Sequence, residues 1–423
     1  MSKHHYDIVY LSAWLLCIIT LPLPTHITSF FCLVLIIVWL FDLNYKEKWE
    51  RLKKATWILP FSLFFALHIA GVAYSDNSKD GFFEVEKKLA FLFIPIIAAS
   101  GKVPSKSDFN FLKKGFIIAC GILVISSLCI PAISMFNDEP AQLLNFDSIT
   151  YQHFHQLNPA ASAWWEYFSY IQIGSWIEMH PAYFSMYLIF CVIILLQEMF
   201  DKMKVSITSI SIIVLFTVFI SLLSSRMAII SYLLILIGLP IFNAIIRRNY
   251  KIAIVPAFSI VLLFVVIWIN PVSRFRIIQE PVTTSYDTNP SNTIWNSVSF
   301  RVLEWKASID ELKQSWMAGV GPGDTQDALH AQYFKYGKKV ADLNYNAHNQ
   351  YLQTMLELGV PGIILLLICI YSPLFKNVPL SAEHIAFILL FGLMCFTESM
   401  LSAQKGIIFF TLFQSLYNRS NLA

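Results

Sequence analysis

The segment VSITSISIIVLFTVFISLL (205–223), SSR (224–226) and MAIISYLLILIGLPIFNAII (227–246) decides the fold. Each of the two long apolar runs approaches the roughly 20 residues that a helix needs to cross the hydrocarbon core of a bilayer. Only the short polar segment SSR separates them, so no soluble domain fits between the two runs. The segment is therefore predicted to form two consecutive membrane helices.

The composition extends this interpretation to the whole chain. Of 423 residues, 57% are hydrophobic and only 13% are charged, whereas an average soluble chain is about 25% charged. So much apolar surface cannot be covered by so few polar groups, which excludes a soluble enzyme, a disordered protein and a nucleic-acid-binding domain. The net charge of +3 also provides no basic field for nucleic acid. We predict an all-α polytopic membrane protein with a single integral membrane domain over 1–423.

About twelve transmembrane helices are predicted from the apolar runs. The predicted spans are 8–23, 27–43, 57–74, 86–100, 114–136, 181–199, 205–223, 227–246, 252–270, 354–374, 385–400 and 404–418. Lysine and arginine are concentrated in alternate short loops, within 46–54, 102–114, 202–204 and 247–251. The positive-inside rule places these loops in the cytoplasm, and the N- and C-termini with them.

Two long segments are then predicted to lie on the outer, periplasmic side. The first, 137–180, has no lysine or arginine and is rich in aromatic residues such as Trp164 and Trp165. Amphipathic rings of this kind suit either the membrane interface or the faces of sugars. We interpret this segment as an aromatic periplasmic loop.

The second outer segment, 271–353, is predicted to be a large helical periplasmic loop between spans 9 and 10. Apolar residues recur at spacings of three and four between about Ser297 and Met317, which predicts a helix. These residues form one apolar stripe along the helix. The stripe consists of Val302, Trp305, Ile309, Leu312 and Trp316, and the polar row beside it of Arg301, Glu304, Ser308 and Glu311.

Arg226, Arg301 and His348 are predicted to lie on the outer side, where the positive-inside rule does not call for basic residues. Arg226 either reaches headgroup phosphates or faces a cavity and binds an anion, for which its planar fork of donors is suited. Arg301 is by itself compatible with a solvated charge. His348 precedes a predicted membrane helix, whose N-terminus favours a neutral, proton-accepting imidazole. A satisfied interfacial histidine remains the alternative.

Other polar motifs have simpler interpretations. The segment GVGPGD (319–324) lacks the lysine of a nucleotide-binding loop and is predicted to stop a helix and reverse the chain. His153 and His155 have no nearby third ligand, so no metal site is predicted. Glu398 and Lys405 flank a short outer turn and are expected to pair with each other or with a ligand in a cavity.

Five short motifs together give the chain a family resemblance. It resembles the O-antigen ligase and O-antigen polymerase superfamily of bacterial envelope glycosyltransferases, over about 180–360. The motifs are SSR (224–226), FRVLEW (300–305), GVGPG (319–323), AHNQYL (347–352) and ELGVPG (357–362). Two positions depart from the family pattern: Ser224 stands where glycine is common, and Met227 replaces a small residue.

The resemblance implies a metal-independent, inverting glycosyltransferase that needs no cofactor. Such an enzyme takes a glycan from an undecaprenyl-pyrophosphate carrier at the periplasmic face of the bacterial inner membrane. It implies that Arg226 and Arg301 stabilise the pyrophosphate and that His348 is the general base. The helix with Arg301 is then expected to lie over the cavity, with Val302, Trp305 and Ile309 packed on the bundle. The further candidate substrate-binding residues are His180, Asn349, Glu304 and Lys405.

The resemblance leaves several functions open. An O-antigen ligase passes the glycan to a sugar hydroxyl of lipid A–core, and a polymerase passes it to another carrier-linked glycan. The lack of basic residues in 137–180 favours the ligase. A protein O-glycosylating transferase shares the chemistry, and a lipid-linked oligosaccharide transporter is the alternative from another class. The expected partners are the lipid-linked donor, the glycan acceptor and membrane lipids, without nucleic acid.

Overall fold

The computed structural model of the chain describes residues 3–102, 105–137, 154–161, 164–173, 179–247, 251–284, 286, 296–337, 342, 344–375 and 380–420. Within these ranges every regular element is a helix, so the all-α prediction is confirmed for this part of the chain. The parts of 137–180 outside 154–161, 164–173 and 179–180 lie outside the described residues, and so does His153.

Helices of ten or more residues are labelled here in chain order. They are α1 (Lys3–Ile19), α2 (Thr25–Leu40), α3 (Tyr45–Lys54), α4 (Leu59–Val72), α5 (Ser78–Lys87), α6 (Leu89–Ser100), α7 (Lys106–Phe136), α8 (Pro181–Lys202), α9 (Ile207–Leu223), α10 (Arg226–Arg247), α11 (Ile254–Ile269), α12 (Ser297–Ser315), α13 (Thr325–Phe334), α14 (Gln350–Tyr371), α15 (Ala382–Met394) and α16 (Gln404–Ser420). The helix expected after Ser297 is α12.

Several of these helices are suited to cross a membrane. In the described part of the chain, four are long and apolar enough: α7, α8, α10 and α14. Two bent pairs, α2 with α3 and α11 with Pro271–Thr283, raise the number of candidate spans to six. Helices such as α9 and α15 are apolar but shorter, and a helix of 17 residues is only about 26 Å long. A polytopic membrane protein is thus supported, while the count of twelve spans stays a prediction.

The centre of the bundle is α8. Nearly all of its residues from Ala182 to Phe200 are buried, and α7, α9, α10 and α15 pack around it. A helix that is buried on every side must be apolar on every side, as its sequence is. His180 is the N-cap of this central helix, so the fold places His180 at one end of the bundle axis.

The orientation of α12 differs from the expectation. Of the residues expected to pack on the bundle, Ile309 is 51% exposed, and Val302 and Trp305 are only partly buried. The buried side is instead formed by Leu303, Ala307 and Leu312, together with the polar residues Glu304 and Ser308. The small side chains at 307 and 308 allow close approach to α13 and α14, and Glu304 has a polar partner on that side.

The segment 319–324 packs against a kink in α14. Gly359 has φ 63° and ψ −156°, which breaks the regular helix. The backbone N–H of Val320 donates to the carbonyl of Leu356 at 2.7 Å, and that of Val360 donates to the carbonyl of Trp316 at 3.0 Å. A Cβ atom on Gly359 would lie 2.3 Å from the carbonyl oxygen of Met317. The segment 319–324 is therefore held against the kink at Gly359 by backbone hydrogen bonds, and the chain reverses at 319–324 as predicted.

A buried polar cluster joins α4 to α14. Nε2 of His68 lies 3.3 Å from Oε2 of Glu357, and the side-chain amide of Gln353 donates to Oε1 of Glu357 at 2.9 Å. Oε1 of Gln353 accepts from the backbone N–H of Ala347 at 3.2 Å. This chain of contacts fixes the residue that directly precedes His348.

Candidate functional site

The ends of several helices meet on one side of the bundle. The N-termini of α8, α10 and α14, the first turn of α12 and the loop between α15 and α16 all contribute to this region. Arg226, Arg301 and His180 line one cavity of about 70 Å³ there, together with Arg276 and Glu398. The structure thus brings the two arginines predicted from the sequence to one place.

Arg226 is held at the start of α10 by a sharp turn. Ser224 adopts a left-handed conformation with φ 50°, and its hydroxyl donates to the hydroxyl of Ser273 at 2.8 Å. The guanidinium of Arg226 donates twice to the carbonyl of Arg276, at 2.8 and 3.0 Å. It also donates to the carboxylate of Glu280, which is buried. Arg226 therefore does not point into lipid but toward the outer loop.

Arg301 lies in the first turn of α12 and faces the same cavity. Its guanidinium donates to Oε1 of Glu398 at 2.6 Å and to the carbonyl of Thr397 at 3.3 Å. Burial lowers the pKa of Arg301, but the nearby charges of Glu398 and Glu304 outweigh that effect and raise it above its usual value. Arg301 is thus a fixed cation and not a solvated surface charge. Glu398 pairs with Arg301.

Both arginines bond to the same residue, Ser297. Arg226 donates to the hydroxyl of Ser297 at 3.0 Å, and Arg301 donates to its carbonyl, also at 3.0 Å. Ser297 begins α12, whose N-cap Asn296 forms a reciprocal capping box with Ser299. This cap fixes the first turn of α12 and so sets the position of Arg301 relative to Arg226.

His348 has an acidic partner that the sequence did not indicate. Its Nδ1 lies 3.0 Å from Oε2 of Glu304, a residue that was expected to bind substrate. Burial lowers the pKa of His348, but the contact with Glu304 and the charges of Glu304 and Glu398 outweigh it and raise the pKa above its usual value. The expectation that a helix N-terminus keeps this imidazole neutral therefore needs correction.

The three basic side chains share one pattern of accessibility. The side chains of Arg226, Arg301 and His348 are 25%, 23% and 21% exposed, whereas their carboxylate partners are buried. The partners are Glu280, Glu398 and Glu304 respectively. In each pair a buried carboxylate contacts a basic side chain that stays partly exposed. Arg226 and Arg301 line the cavity, whereas His348 is not among its lining residues.

The other predicted site residues, His180, Asn349 and Lys405, differ in whether they line the cavity. His180 lines the cavity and is accessible, while its Nδ1 accepts from the N–H of Ala182 at 3.3 Å. The side chain of Asn349 accepts from the first N–H groups of α14, so it acts as a helix cap. Lys405 is buried and its carbonyl accepts from Tyr187, and it is not among the residues that line the cavity.

Sequence reasoning missed a third arginine. Arg276 lines the same cavity, and its guanidinium carbon lies 3.6 Å from the ring centre of Tyr170. Within the described residues, its Nε has no hydrogen-bond partner. A signal was present, since Arg274 and Arg276 directly follow a predicted span on the side that is otherwise poor in basic residues.

Metal ligands were not expected, and the described residues form no group of three or more histidine, cysteine, aspartate or glutamate side chains suited to a metal. The Nε2 atom of His155 instead lies 3.4 Å from a carboxylate oxygen of Glu166.

Comparison with known proteins finds a family model that matches the middle of the chain. The family model described as O-antigen ligase matches residues 183–367. This range runs from the start of α8 to the second half of α14 and includes Arg226, Arg301 and His348. No curated protein matches the chain. The resemblance to the O-antigen ligase superfamily is thereby confirmed.

Proposed function

Taking residues 183–367 as an O-antigen ligase family domain, we propose that the chain is an O-antigen ligase. It transfers a glycan from undecaprenyl pyrophosphate to a sugar hydroxyl of lipid A–core, at the periplasmic face of the bacterial inner membrane. The observation that carries this proposal is the convergence of Arg226 and Arg301 on Ser297 and on one cavity.

The arginines act on the leaving group. As the bond between the anomeric carbon and the pyrophosphate oxygen breaks, the electron pair moves to that oxygen and negative charge builds there. Fixed guanidinium donors stabilise such charge because they are already oriented when it forms. Arg301 has five N–H groups and donates three bonds to described residues, which leaves donors for a phosphate oxygen. Arg276 supplies a third guanidinium to the same cavity.

His348 acts on the acceptor. The contact between its Nδ1 and Glu304 favours a proton on Nδ1, so that Nε2 is the free base. Nε2 then takes the proton of the acceptor hydroxyl while the hydroxyl oxygen bonds to the anomeric carbon. If this attack comes from the face opposite the pyrophosphate, one displacement inverts the anomeric centre. His348 finally loses the proton to water.

The closest alternative is an O-antigen polymerase, since both enzymes use the same donor and break the same bond between the anomeric carbon and the pyrophosphate oxygen. The absence of lysine and arginine from 137–180 favours the ligase.

A lipid-linked oligosaccharide transporter would need a polar passage through the bundle. The buried side chains of His68, Glu357 and Gln353 instead contact one another and form a closed polar cluster.

The lipopolysaccharide of a strain that lacks this protein tests the proposal. A ligase predicts that all polymer disappears from lipid A–core while carrier-linked polymer accumulates. A core that carries a single repeat would identify a polymerase and overturn the ligase assignment. Unchanged lipopolysaccharide would overturn both.

A further inference from the structure

A second cavity lies at the opposite end of the bundle from the candidate site. It measures about 780 Å³. The central helix α8 has His180 at one end and Lys202, which lines this second cavity, at the other. A helix of 22 residues is about 33 Å long, slightly more than the thickness of the hydrocarbon core. The second cavity therefore lies at headgroup level, on the side predicted to be cytoplasmic.

The floor of this cavity is an ordered, neutralised ion pair. The ammonium of Lys113 lies 2.8 and 3.1 Å from the two carboxylate oxygens of Glu383, and both residues are buried. The hydroxyl of Tyr417 donates to the same carboxylate. These contacts join α7, α15 and α16, so the floor is fixed before any ligand binds.

The rim has uncompensated positive charge. Lys106 and Lys114 line the cavity on α7, are exposed, and have no ion-pair partner among the residues that the structure describes. On the opposite wall Glu198 is paired with Lys202 at 2.5 Å, and Asp201 accepts from the amide of Gln197 at 2.8 Å. Four lysines and three carboxylates line the cavity, so a bound anion would meet the two unpaired ammonium groups and a net charge of +1.

We propose that this cavity binds the phosphate of an anionic phospholipid headgroup. The two ammonium groups attract the phosphodiester, and the amide of Asn110, which also lines the cavity, can donate to its oxygens. Basic pockets between membrane helices on the cytoplasmic side suit such headgroups. Free phosphate has the same chemistry, but the position of the cavity at headgroup level favours an anion that is anchored in the membrane.

Lipid binding to the purified full-length chain tests this proposal. Native mass spectrometry would count bound phosphatidylglycerol and, separately, bound phosphatidylcholine in a titration of each lipid. We expect preferential binding of phosphatidylglycerol, and roughly tenfold weaker binding after Lys106→Ala together with Lys114→Ala. The matched control is Lys46→Ala with Lys54→Ala, which removes two exposed lysines of α3 that do not line the cavity.

Three outcomes would overturn the proposal. The first is equal retention of the two lipids by the wild-type chain. The second is phosphatidylglycerol binding that is equally weakened in both double variants. The third is full competition by inorganic phosphate at the concentration of the lipid, which would assign the cavity to a free anion. None of these readouts depends on glycan transfer, so they are independent of the proposed activity.

Discussion

Oε2 of Glu304 lies 3.0 Å from Nδ1 of His348. Glu304 is on α12 and His348 directly precedes the N-cap of α14, so the contact joins two elements that are distant in sequence. The contact changes the properties of the imidazole of His348. A buried carboxylate at Nδ1 both orients the imidazole and makes it a stronger base.

This contact predicts a shift in the pH dependence of glycan transfer. His348 must be deprotonated to act as a base, and its pKa is raised, so kcat/KM should rise with pH through a value above about 6.5. Glu304→Gln removes the negative charge while burial remains, so the rise should move to lower pH and the maximum rate should fall roughly tenfold or more. Glu311→Gln, on the same helix and bonded to Gln332, is the matched control. An unchanged profile in Glu304→Gln would remove the positioning role of Glu304.

Replacing the proposed base itself should have a larger effect. His348→Ala should lower transfer from a carrier-linked glycan about 10²- to 10⁴-fold in a reconstituted assay, because general base catalysis contributes that much. Donor binding should persist, since the arginines are unchanged. Wild-type turnover in this variant would end the assignment of His348 as the base.

The arginines should not be replaceable by lysine. Arg226→Lys and Arg301→Lys keep the charge but lose the planar fork of donors, and each should lower kcat about 10²- to 10³-fold. Arg276→Lys should have an effect in the same direction. Arg274→Lys is the control, because Arg274 is adjacent but bonds to Asn158 and does not line the cavity. Equal activity of Arg226→Lys and Arg274→Lys would argue against a phosphate-binding role for Arg226.

Metal removal is expected to leave transfer unchanged. Two or three guanidinium groups can balance the pyrophosphate charge without a metal. Transfer by the purified chain should therefore be equal with and without EDTA. Loss of activity that magnesium or another divalent ion restores would contradict this mechanism.

The buried cluster around Glu357 should matter for stability. Glu357→Leu leaves His68 and Gln353 without their partner in the interior and should lower the free energy of unfolding by about 3–5 kcal/mol. The readout is the thermal unfolding midpoint in detergent. Glu86→Gln, which removes an exposed carboxylate from α5, should change the midpoint little. Equal midpoints for the two variants would show that the cluster is not stabilising.

Much of the fold followed from the sequence because hydrophobicity and helix termini are local properties. The apolar runs predicted helices, and the helix after Ser297, the reversal at 319–324 and the helix after His348 lie where the patterns placed them. Periodicity also indicated which residues share a face of α12. It did not decide which face is buried, because that depends on the surface that α13 and α14 offer.

The sequence by itself determined an all-helical membrane protein, its resemblance to the O-antigen ligase superfamily, and the identity of Arg226, Arg301 and His348 as candidates, because residue type and spacing carry that information. Only the tertiary structure paired Arg226, Arg301 and His348 with Glu280, Glu398 and Glu304. It also added Arg276 to the cavity that Arg226 and Arg301 line. Charge pairing depends on distances of a few ångströms between helices that are far apart in the chain. No local pattern encodes those distances, and they are set when the helices pack.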